Sequence, residues 1–464
     1  MKHILRILSV SLIAALVSCS ACSKSDGTSS GAADISAAIT SEQETTAITA
    51  SAVTAATAAT ATTAATEPET YSAQYKLVVD AFDWGPASTK AIVSLPESCT
   101  ESDLCSFAVT ETTPDGKTVD RTVSDVYLCD SEGSRITGTS KYLAIDMEVV
   151  PCGAGSVFRY DMSDRRNKFS DKYQLDIKPA DGATGALSSL TIDPVYTDMV
   201  IPDLSAFQID SYTEKDITLN YGLYTLEEDD STHPLIVWCH GFGEGGDDPE
   251  VALLGNRVTA FAEEDIQEAF DGAYVLIPQC PTFWYQTASS ASPNSEPDGS
   301  SIYSEPLMGL IEKILSENEG IDPDRIYIGG CSSGGYMTMS MILTYPDTFA
   351  AAFPVCAYYP DKFIDDQELA ILENTPLWYV YCTSDTSEPP KPSSEATISR
   401  LEDAGVSVHA SIYEDVHDIT GRYTDAAGEP FVYNNHFSWI YVLNSYCRDG
   451  DLSLWEYLAS QSHD

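Results

Sequence analysis

The chain has 464 residues, a formal net charge of −47 and an isoelectric point near 4.1. A field of this sign repels phosphate backbones, which argues against nucleic acid as a partner and against polyanionic substrates. Hydrophobic residues make up 43% of the chain, so it can bury a large core. Its length fits about two or three domains.

The first 22 residues have the features of an export signal. Lys2 and Arg6 precede an apolar run at residues 7–17, which is too short to span a bilayer. The run ends in a Leu-Val-Ser-Cys motif that resembles the lipobox of bacterial lipoproteins, with Cys19 as the lipidated residue and Cys22 as an alternative. We therefore expect a lipid-anchored protein on the extracellular face of the cell membrane.

Two segments of different composition follow the signal. Residues 23–69 are rich in Ser, Thr and Ala and lack aromatic residues, which predicts a disordered tether. Residues 70–195 contain short runs such as 142–149, where apolar and polar residues alternate, and a turn motif at 113–116. This pattern predicts an all-β domain, a sandwich of the immunoglobulin-like type, in which we find no catalytic constellation.

From residue 196 to residue 464 the pattern changes to that of an α/β domain. Continuously apolar runs at 235–239, 274–277, 326–328 and 377–381 alternate with stretches of helical character. Strands that are buried on both faces have this composition, which predicts a doubly wound, mostly parallel sheet.

The motif Gly330-Cys331-Ser332-Ser333-Gly334 lies between an apolar strand and a helical run. A sharp strand-to-helix turn needs small residues around a nucleophile, so the motif predicts Ser332 as the nucleophile. The amide of Ser333 then lies at a helix N-terminus, where a developing anion is favoured. A phosphate-binding turn would need a following Lys or Arg, and none is near.

A second glycine-rich turn, His-Gly-Phe-Gly, begins at His240 directly after an apolar strand. The amides of Gly241 and Phe242, together with that of Ser333, would form an oxyanion hole. The turn also fits a dinucleotide-binding pattern through Gly246. However, the acidic residue expected about 20 positions later lacks a strand to carry it.

The base and the acid are harder to choose. His417 and His436 both follow the last predicted strand, and position alone does not separate them. Asp385 follows the strand at 377–382 and lies between nucleophile and base in the chain, which favours it as the acid. Weaker rivals for the acid are Asp361, Asp365, Asp366 and Glu388. Three aromatic residues adjoin the predicted turns and either line the pocket or belong to the core: Trp284, Tyr285 and Trp439.

Residues 215–446 resemble the esterase and depolymerase branch of the α/β-hydrolases, which includes polyhydroxybutyrate-depolymerase-like, feruloyl-esterase-like and acetylxylan-esterase-like proteins and bacterial esterases with an amino-terminal immunoglobulin-like domain. The matching segments are 234–241, 277–281, 322–327 with 332–335, 345–352, and 436–439. In this family the histidine of the His-x-Ser-Trp element is the base, which implies His436. The family also has His-Gly before the turn of the acid, whereas this chain has Tyr381-Cys382.

These features together predict a serine carboxylic ester hydrolase that acts on extracellular small-molecule or polysaccharide esters and needs no metal or cofactor. A prolyl-oligopeptidase-like peptidase is one alternative, although its propeller would need repeated blades that the sequence lacks. A non-catalytic surface-binding lipoprotein is the other. Of the twelve cysteines, the four between residues 99 and 152 allow three disulfide pairings. The six later ones fit buried apolar positions.

Overall fold

The computed structural model describes residues 72–463 except residues 228 and 293. The lipobox with Cys19 and Cys22 and the tether at 23–69 lie outside the described residues. Within them, no helix is long and apolar enough to cross a membrane.

The amino-terminal unit consists of short strands. Its strands are β1 (Gln74–Phe82), β2 (Gly85–Thr100), β3 (Phe107–Thr112), β4 (Thr118–Arg121), β5 (Val123–Cys129), β6 (Thr139–Met147), β7 (Phe158–Asp161), β8 (Arg166–Phe169), β9 (Gln174–Pro179) and β10 (Asp198–Val200).

Two sheets of this unit enclose one core. The larger has the order β10-β1-β2-β6-β5 and the smaller the order β4-β3-β9, while β7 and β8 form a separate hairpin. Alternate residues such as Leu143 and Ile145 of β6 pack against Val109 of β3 and Leu175 of β9. The predicted sandwich is therefore confirmed, although β10 extends it beyond the expected boundary at residue 195.

The carboxy-terminal unit alternates strands and helices. Its strands are β11 (Phe207–Glu214), β12 (Ile217–Tyr224), β13 (His233–Cys239), β14 (Tyr274–Gln279), β15 (Ile321–Cys331), β16 (Ala351–Val355), β17 (Trp378–Cys382), β18 (His409–Tyr413), β19 (Arg448–Asp449) and β20 (Leu452–Ser453). Its helices are α1 (Pro249–Leu254), α2 (Glu264–Phe270), α3 (Ser304–Glu317), α4 (Ser333–Thr344), α5 (Asp366–Leu372), α6 (Ser394–Asp403), α7 (Trp439–Leu443) and α8 (Leu454–Ala459).

Eight of these strands form one sheet in the order β11-β12-β14-β13-β15-β16-β17-β18. The strands from β14 to β18 pair in parallel, and every residue of β13 and β14 is buried, because helices cover both faces. At the other edge β11 and β12 pair antiparallel. The predicted doubly wound α/β domain is confirmed, and its central strand β15 leads into the Gly-x-Ser-x-Gly turn.

The two units share an interface near Asp83, which follows β1. The Asp83 carbonyl accepts a hydrogen bond from Trp439 Nε1 at 3.2 Å, and its carboxylate accepts one from Asn444 at 3.0 Å. Arg257 lies 3.5 Å from the same carboxylate. The neighbouring Trp84 packs into the core of the α/β unit. Buried polar contacts of this kind fix the orientation of one unit against the other.

The described residues contain ten cysteines. The six in the α/β unit are buried, which confirms their prediction as small apolar residues of the core. In the sandwich Cys99, Cys105 and Cys129 are free thiols, so none of the three pairings that four cysteines allow is formed.

Candidate active site

Ser332 lies in a strained turn between β15 and α4. Its backbone has φ 56° and ψ −114°, a conformation that a residue other than glycine rarely adopts. A Cβ atom on Gly334 would lie 1.9 Å from the carbonyl oxygen of Cys239, and one on Gly330 would lie 2.5 Å from the same oxygen. Only glycine fits at these two positions, so the motif allows the turn to pack against β13 and presents Ser332 at the carboxyl end of the sheet.

His436 and Asp385 form a buried pair. The imidazole Nδ1 lies 2.7 Å from Asp385 Oδ2, and both residues are 4% exposed. The other carboxylate oxygen accepts hydrogen bonds from the backbone amides of Ser387 at 2.8 Å and Glu388 at 3.0 Å. These contacts fix the carboxylate, which in turn orients the ring and leaves Nε2 as the nitrogen able to accept a proton.

His417 lies outside this pair. Its Nδ1 contacts Asp415 at 2.8 Å and the Tyr441 hydroxyl at 3.3 Å, and its side chain is 39% exposed. The geometry therefore joins His436, and not His417, to the predicted acid.

The rival acids are engaged elsewhere, with one exception. Asp361 accepts a hydrogen bond from Arg400 at 3.0 Å, and Asp366 lies 4.0 Å from the same guanidinium. Asp365 caps the N-terminus of α5. Glu388 is the exception because it adjoins the pair, and burial raises the pKa of its carboxyl to about 8.

The charges around His436 favour its protonated form. Burial alone lowers the pKa of the imidazole, but the hydrogen bond and charge of Asp385 outweigh that effect, and Glu388 and Glu244 act in the same direction. The pKa of His436 is therefore above its ordinary value. Among the described residues the Ser332 hydroxyl forms no hydrogen bond, as is common for a nucleophile and its base in the absence of substrate.

The predicted oxyanion loop follows β13 and is held by His240. The Cys280 amide donates to His240 Nε2 at 3.2 Å, so Nδ1 carries the proton and lies 2.5 Å from the Gly241 carbonyl oxygen. Burial lowers the pKa of His240 to about 4, which keeps the ring neutral. Ser333 is the first residue of α4, so helix geometry leaves its amide without an acceptor within the helix.

Glu244 supports this loop from within and is contacted by the amino-terminal unit. A Cβ atom on Gly241 would lie 2.8 Å from Glu244 Oε2, so the carboxyl group packs against the loop backbone. Asn167 of β8 donates a hydrogen bond to Glu244 Oε1 at 2.9 Å. Burial raises the pKa of Glu244 to about 7, although hydrogen bonds from Asn167 and Asn256 oppose the shift.

Two of the three aromatic residues predicted near the pocket belong to the core. Trp284 is 0% exposed and packs against His240 with ring centroids 5.0 Å apart. Trp439 is 5% exposed, packs edge-on against His436 and donates to Asp83. The burial of both side chains favours the core role, which the sequence had left open beside the pocket role.

Tyr285, the third of these aromatic residues, is partly exposed. Its ring centroid lies 6.1 Å from that of Phe242 and 5.5 Å from that of Tyr358, and both neighbours are also partly exposed. The Tyr358 amide donates to the Ser332 carbonyl at 3.2 Å, so this aromatic wall begins next to the nucleophile. Aromatic faces of this kind pack against rings and apolar groups.

Two family models match the chain. Residues 74–186 match the esterase immunoglobulin-like N-terminal domain, and residues 222–429 match the phospholipase/carboxylesterase family. The chain therefore contains an esterase-type immunoglobulin-like domain followed by a domain of the phospholipase/carboxylesterase type.

Individual proteins agree with this family. A solved thermostable esterase is 23% identical, covers 84% of this chain and 100% of its own, and superposes with a TM-score of 0.65, which shows the same fold. Poly(3-hydroxyalkanoate) depolymerase C of Paucimonas lemoignei is 49% identical over 41 residues, or 9% of this chain. The chain spans about a tenth of the length of that relative.

Three residues of this carboxylesterase site were missed from the sequence: Asn167, Glu244 and Tyr358. Asn167 lies in a domain without a catalytic motif, and Glu244 is an ordinary acidic residue of a glycine-rich turn. Only the packing of the β7–β8 hairpin against that turn brings them together.

Replacing Asp385 with Asn tests the buried pair. We expect kcat for ester cleavage to fall by about 10⁴-fold, because the amide neither holds the correct tautomer nor stabilises the imidazolium.

In the unsubstituted enzyme, kcat/KM should rise with pH with a midpoint above 6.5, since only neutral His436 accepts a proton and its pKa is raised. The midpoint should move to lower pH in Asp385→Asn.

The measurement is a pH–rate profile with a 4-nitrophenyl ester. Asp361→Asn is the control, because Asp361 pairs with Arg400 and should leave the profile unchanged. A profile that is the same in Asp385→Asn and the unsubstituted enzyme contradicts the role of the pair.

Replacing Asn167 with Ala tests the support of the oxyanion loop. Loss of the hydrogen bond leaves a buried carboxyl oxygen without its partner, so we expect kcat to fall about tenfold with KM nearly unchanged. Asn374→Ala removes a comparable amide from an exposed position just after α5, where it donates to the Ala370 carbonyl, and serves as the control. Equal loss in both variants, or a loss confined to KM, would exclude a positioning role for Asn167.

Proposed function

We propose that the chain is a serine carboxylic ester hydrolase in which Ser332, His436 and Asp385 act together on extracellular esters. The observation that carries the proposal is the 2.7 Å contact between His436 and Asp385, buried at the same edge of the sheet as the strained Ser332 turn. The match of residues 222–429 to the phospholipase/carboxylesterase family supports ester cleavage as the reaction.

The first half of the reaction forms an acyl-enzyme. His436 Nε2 accepts the proton of the Ser332 hydroxyl while the oxygen attacks the ester carbonyl carbon. The carbonyl oxygen gains negative charge, which the amides of Ser333 and of Gly241 or Phe242 would stabilise. The imidazolium then gives its proton to the leaving alcohol as the carbon–oxygen bond breaks.

The second half restores the enzyme. His436 takes a proton from water, which attacks the acyl carbon, and the collapse of the second tetrahedral intermediate returns the proton to Ser332. Asp385 stabilises the imidazolium in both halves. Apart from water and the ester, the reaction uses only side chains and backbone amides of this chain.

The location and the substrate are proposals as well. The lipobox at Cys19 and the tether at 23–69 support a protein that is anchored by lipid to the extracellular face of the membrane. Esters of exported substrates, such as acylated polysaccharides, fit this location. The wall formed by Phe242, Tyr285 and Tyr358 offers aromatic faces on which a sugar or phenolic ring can stack.

The peptidase alternative has no support in the described residues, because the unit before the hydrolase domain is an immunoglobulin-like sandwich and not a propeller.

Ser332→Ala tests the nucleophile. We expect the variant to lose hydrolysis of 4-nitrophenyl acetate by on the order of 10⁶-fold, because no other group can form the acyl-enzyme. His417→Ala is the control and should keep its activity, since His417 pairs with Asp415 away from Asp385. Peptide 4-nitroanilides measured in parallel separate an esterase from a peptidase. Ester cleavage that survives in Ser332→Ala refutes the assignment.

Cys19→Ser tests the anchor. We expect the full-length variant, expressed in a bacterial host that processes lipoproteins, to lose incorporation of labelled fatty acid and to leave the membrane fraction. Cys22→Ser should keep both, because Cys19 follows the Leu-Val-Ser element. The reverse result would place the lipid on Cys22, and labelling in neither unsubstituted nor variant protein would exclude the anchor.

A further inference from the structure

The β7–β8 hairpin concentrates positive charge in a strongly acidic chain. Residues 159–168 contain four of the 24 lysines and arginines, while the whole chain has a net charge of −47. Within the hairpin, Asp161 and Asp164 pair with Lys168, and Asp161 also pairs with Arg159. The two remaining cations are Arg165 and Arg166.

Arg165 and Arg166 have no carboxylate partner among the described residues. Arg165 donates to the neutral side-chain amide of Asn294 at 2.7 Å, and both arginines are partly buried. The absence of a carboxylate partner contrasts with the 71 acidic residues of the chain. Because neither guanidinium is paired with a carboxylate, both retain most of their capacity to bind an anion.

Both side chains lie beside the candidate active site. A Cβ atom on Gly246, at the end of the oxyanion loop, would lie 4.0 Å from an Arg166 guanidinium nitrogen. Burial raises the pKa of the Tyr285 hydroxyl, and the charge of Arg165 is near enough to oppose that shift. Arg165 itself has φ 60°, a strained conformation at the hairpin tip that directs its side chain.

We propose that Arg165 and Arg166 form a cationic rim of the candidate active site that selects esters carrying a free carboxylate. The inference rests on the proposed esterase function and names its substrate class. A planar guanidinium binds a carboxylate through two parallel hydrogen bonds, and the neighbouring aromatic rings of Phe242 and Tyr358 offer apolar faces to the uncharged remainder of the substrate. The repulsive field of the whole chain makes such local cations necessary for even one carboxylate to be held.

The carboxylate can belong to either half of the ester. If the carboxylate belongs to the acyl half, the substrate is a half-ester of a dicarboxylic acid. If it belongs to the alcohol half, the substrate is a hydroxy acid or a uronic acid that is acylated on a hydroxyl group. The shared chemistry is a single carboxylate within reach of the rim, and matched substrates distinguish the two halves.

The experiment compares two pairs of esters. Monoethyl adipate against diethyl adipate tests the acyl half, and 4-acetoxybenzoate against 4-acetoxybenzamide tests the alcohol half. We expect kcat/KM to favour the anionic member of one pair by about tenfold, and this ratio to fall to about one in Arg165→Gln combined with Arg166→Gln. Arg165→Lys alone should keep part of the anionic preference that the double variant loses. Lysine retains the positive charge but cannot form the two parallel hydrogen bonds of a guanidinium.

Arg135→Gln is the matched control, because Arg135 lies in the same unit, is exposed and pairs with Asp125. Calorimetric binding of the same four esters to Ser332→Ala gives a readout that does not need turnover. Failure of the unsubstituted enzyme to cleave any ester would refute the proposed function. The binding assay would still show whether Arg165 and Arg166 select anionic esters. No anionic preference in either assay, or a preference that survives the double substitution, overturns the inference.

Discussion

The site depends on one close contact between two backbones. The turn at Ser332 packs so tightly on β13 that a side chain at Gly334 would overlap the carbonyl of Cys239. The oxyanion loop begins at the next residue of that strand, His240. A single contact between main chains therefore sets the distance between the nucleophile and the amides that would hold the oxyanion, before any side chain contributes. The strain at Ser332 is tolerated because the surrounding sheet fixes both segments.

The imidazole of His436 lies in a field of three carboxyl groups that behave differently. Asp385 has both oxygens engaged in hydrogen bonds, whereas burial raises the pKa of Glu244 to about 7 and that of Glu388 to about 8. Both of these carboxyl groups are therefore only partly ionised near neutral pH. As the pH rises and they ionise, their charge increases the proton affinity of His436, so the three titrations are coupled. The pKa of the proposed base therefore depends on neighbouring carboxyl groups that take no part in the proposed proton transfer.

Sequence patterns predict the buried strands of this chain. They do not predict side-chain roles that depend on contacts between residues far apart in the sequence. The central strands were evident because burial on both faces leaves them continuously apolar. The edge strand β11 was not, since most of its residues are exposed. His417 and His436 are equivalent by position, and a partner 51 residues away from His436 distinguishes them. Trp284 adjoins the site in sequence, yet its ring faces the core, because adjacency along the chain does not fix the direction of a side chain.

The candidate site extends beyond the α/β unit, because the immunoglobulin-like unit contributes residues to it. Its sequence has no catalytic set, so composition predicts a structural module, but its β7–β8 hairpin carries both the amide that bonds Glu244 and the guanidinium near Tyr285. Both contacts require the sandwich to keep one orientation against the hydrolase. The interface at Asp83 supplies that constraint through Trp439, which also packs against His436. The same tryptophan therefore links the docking of the sandwich to the position of His436, so the geometry of the candidate site depends on both units.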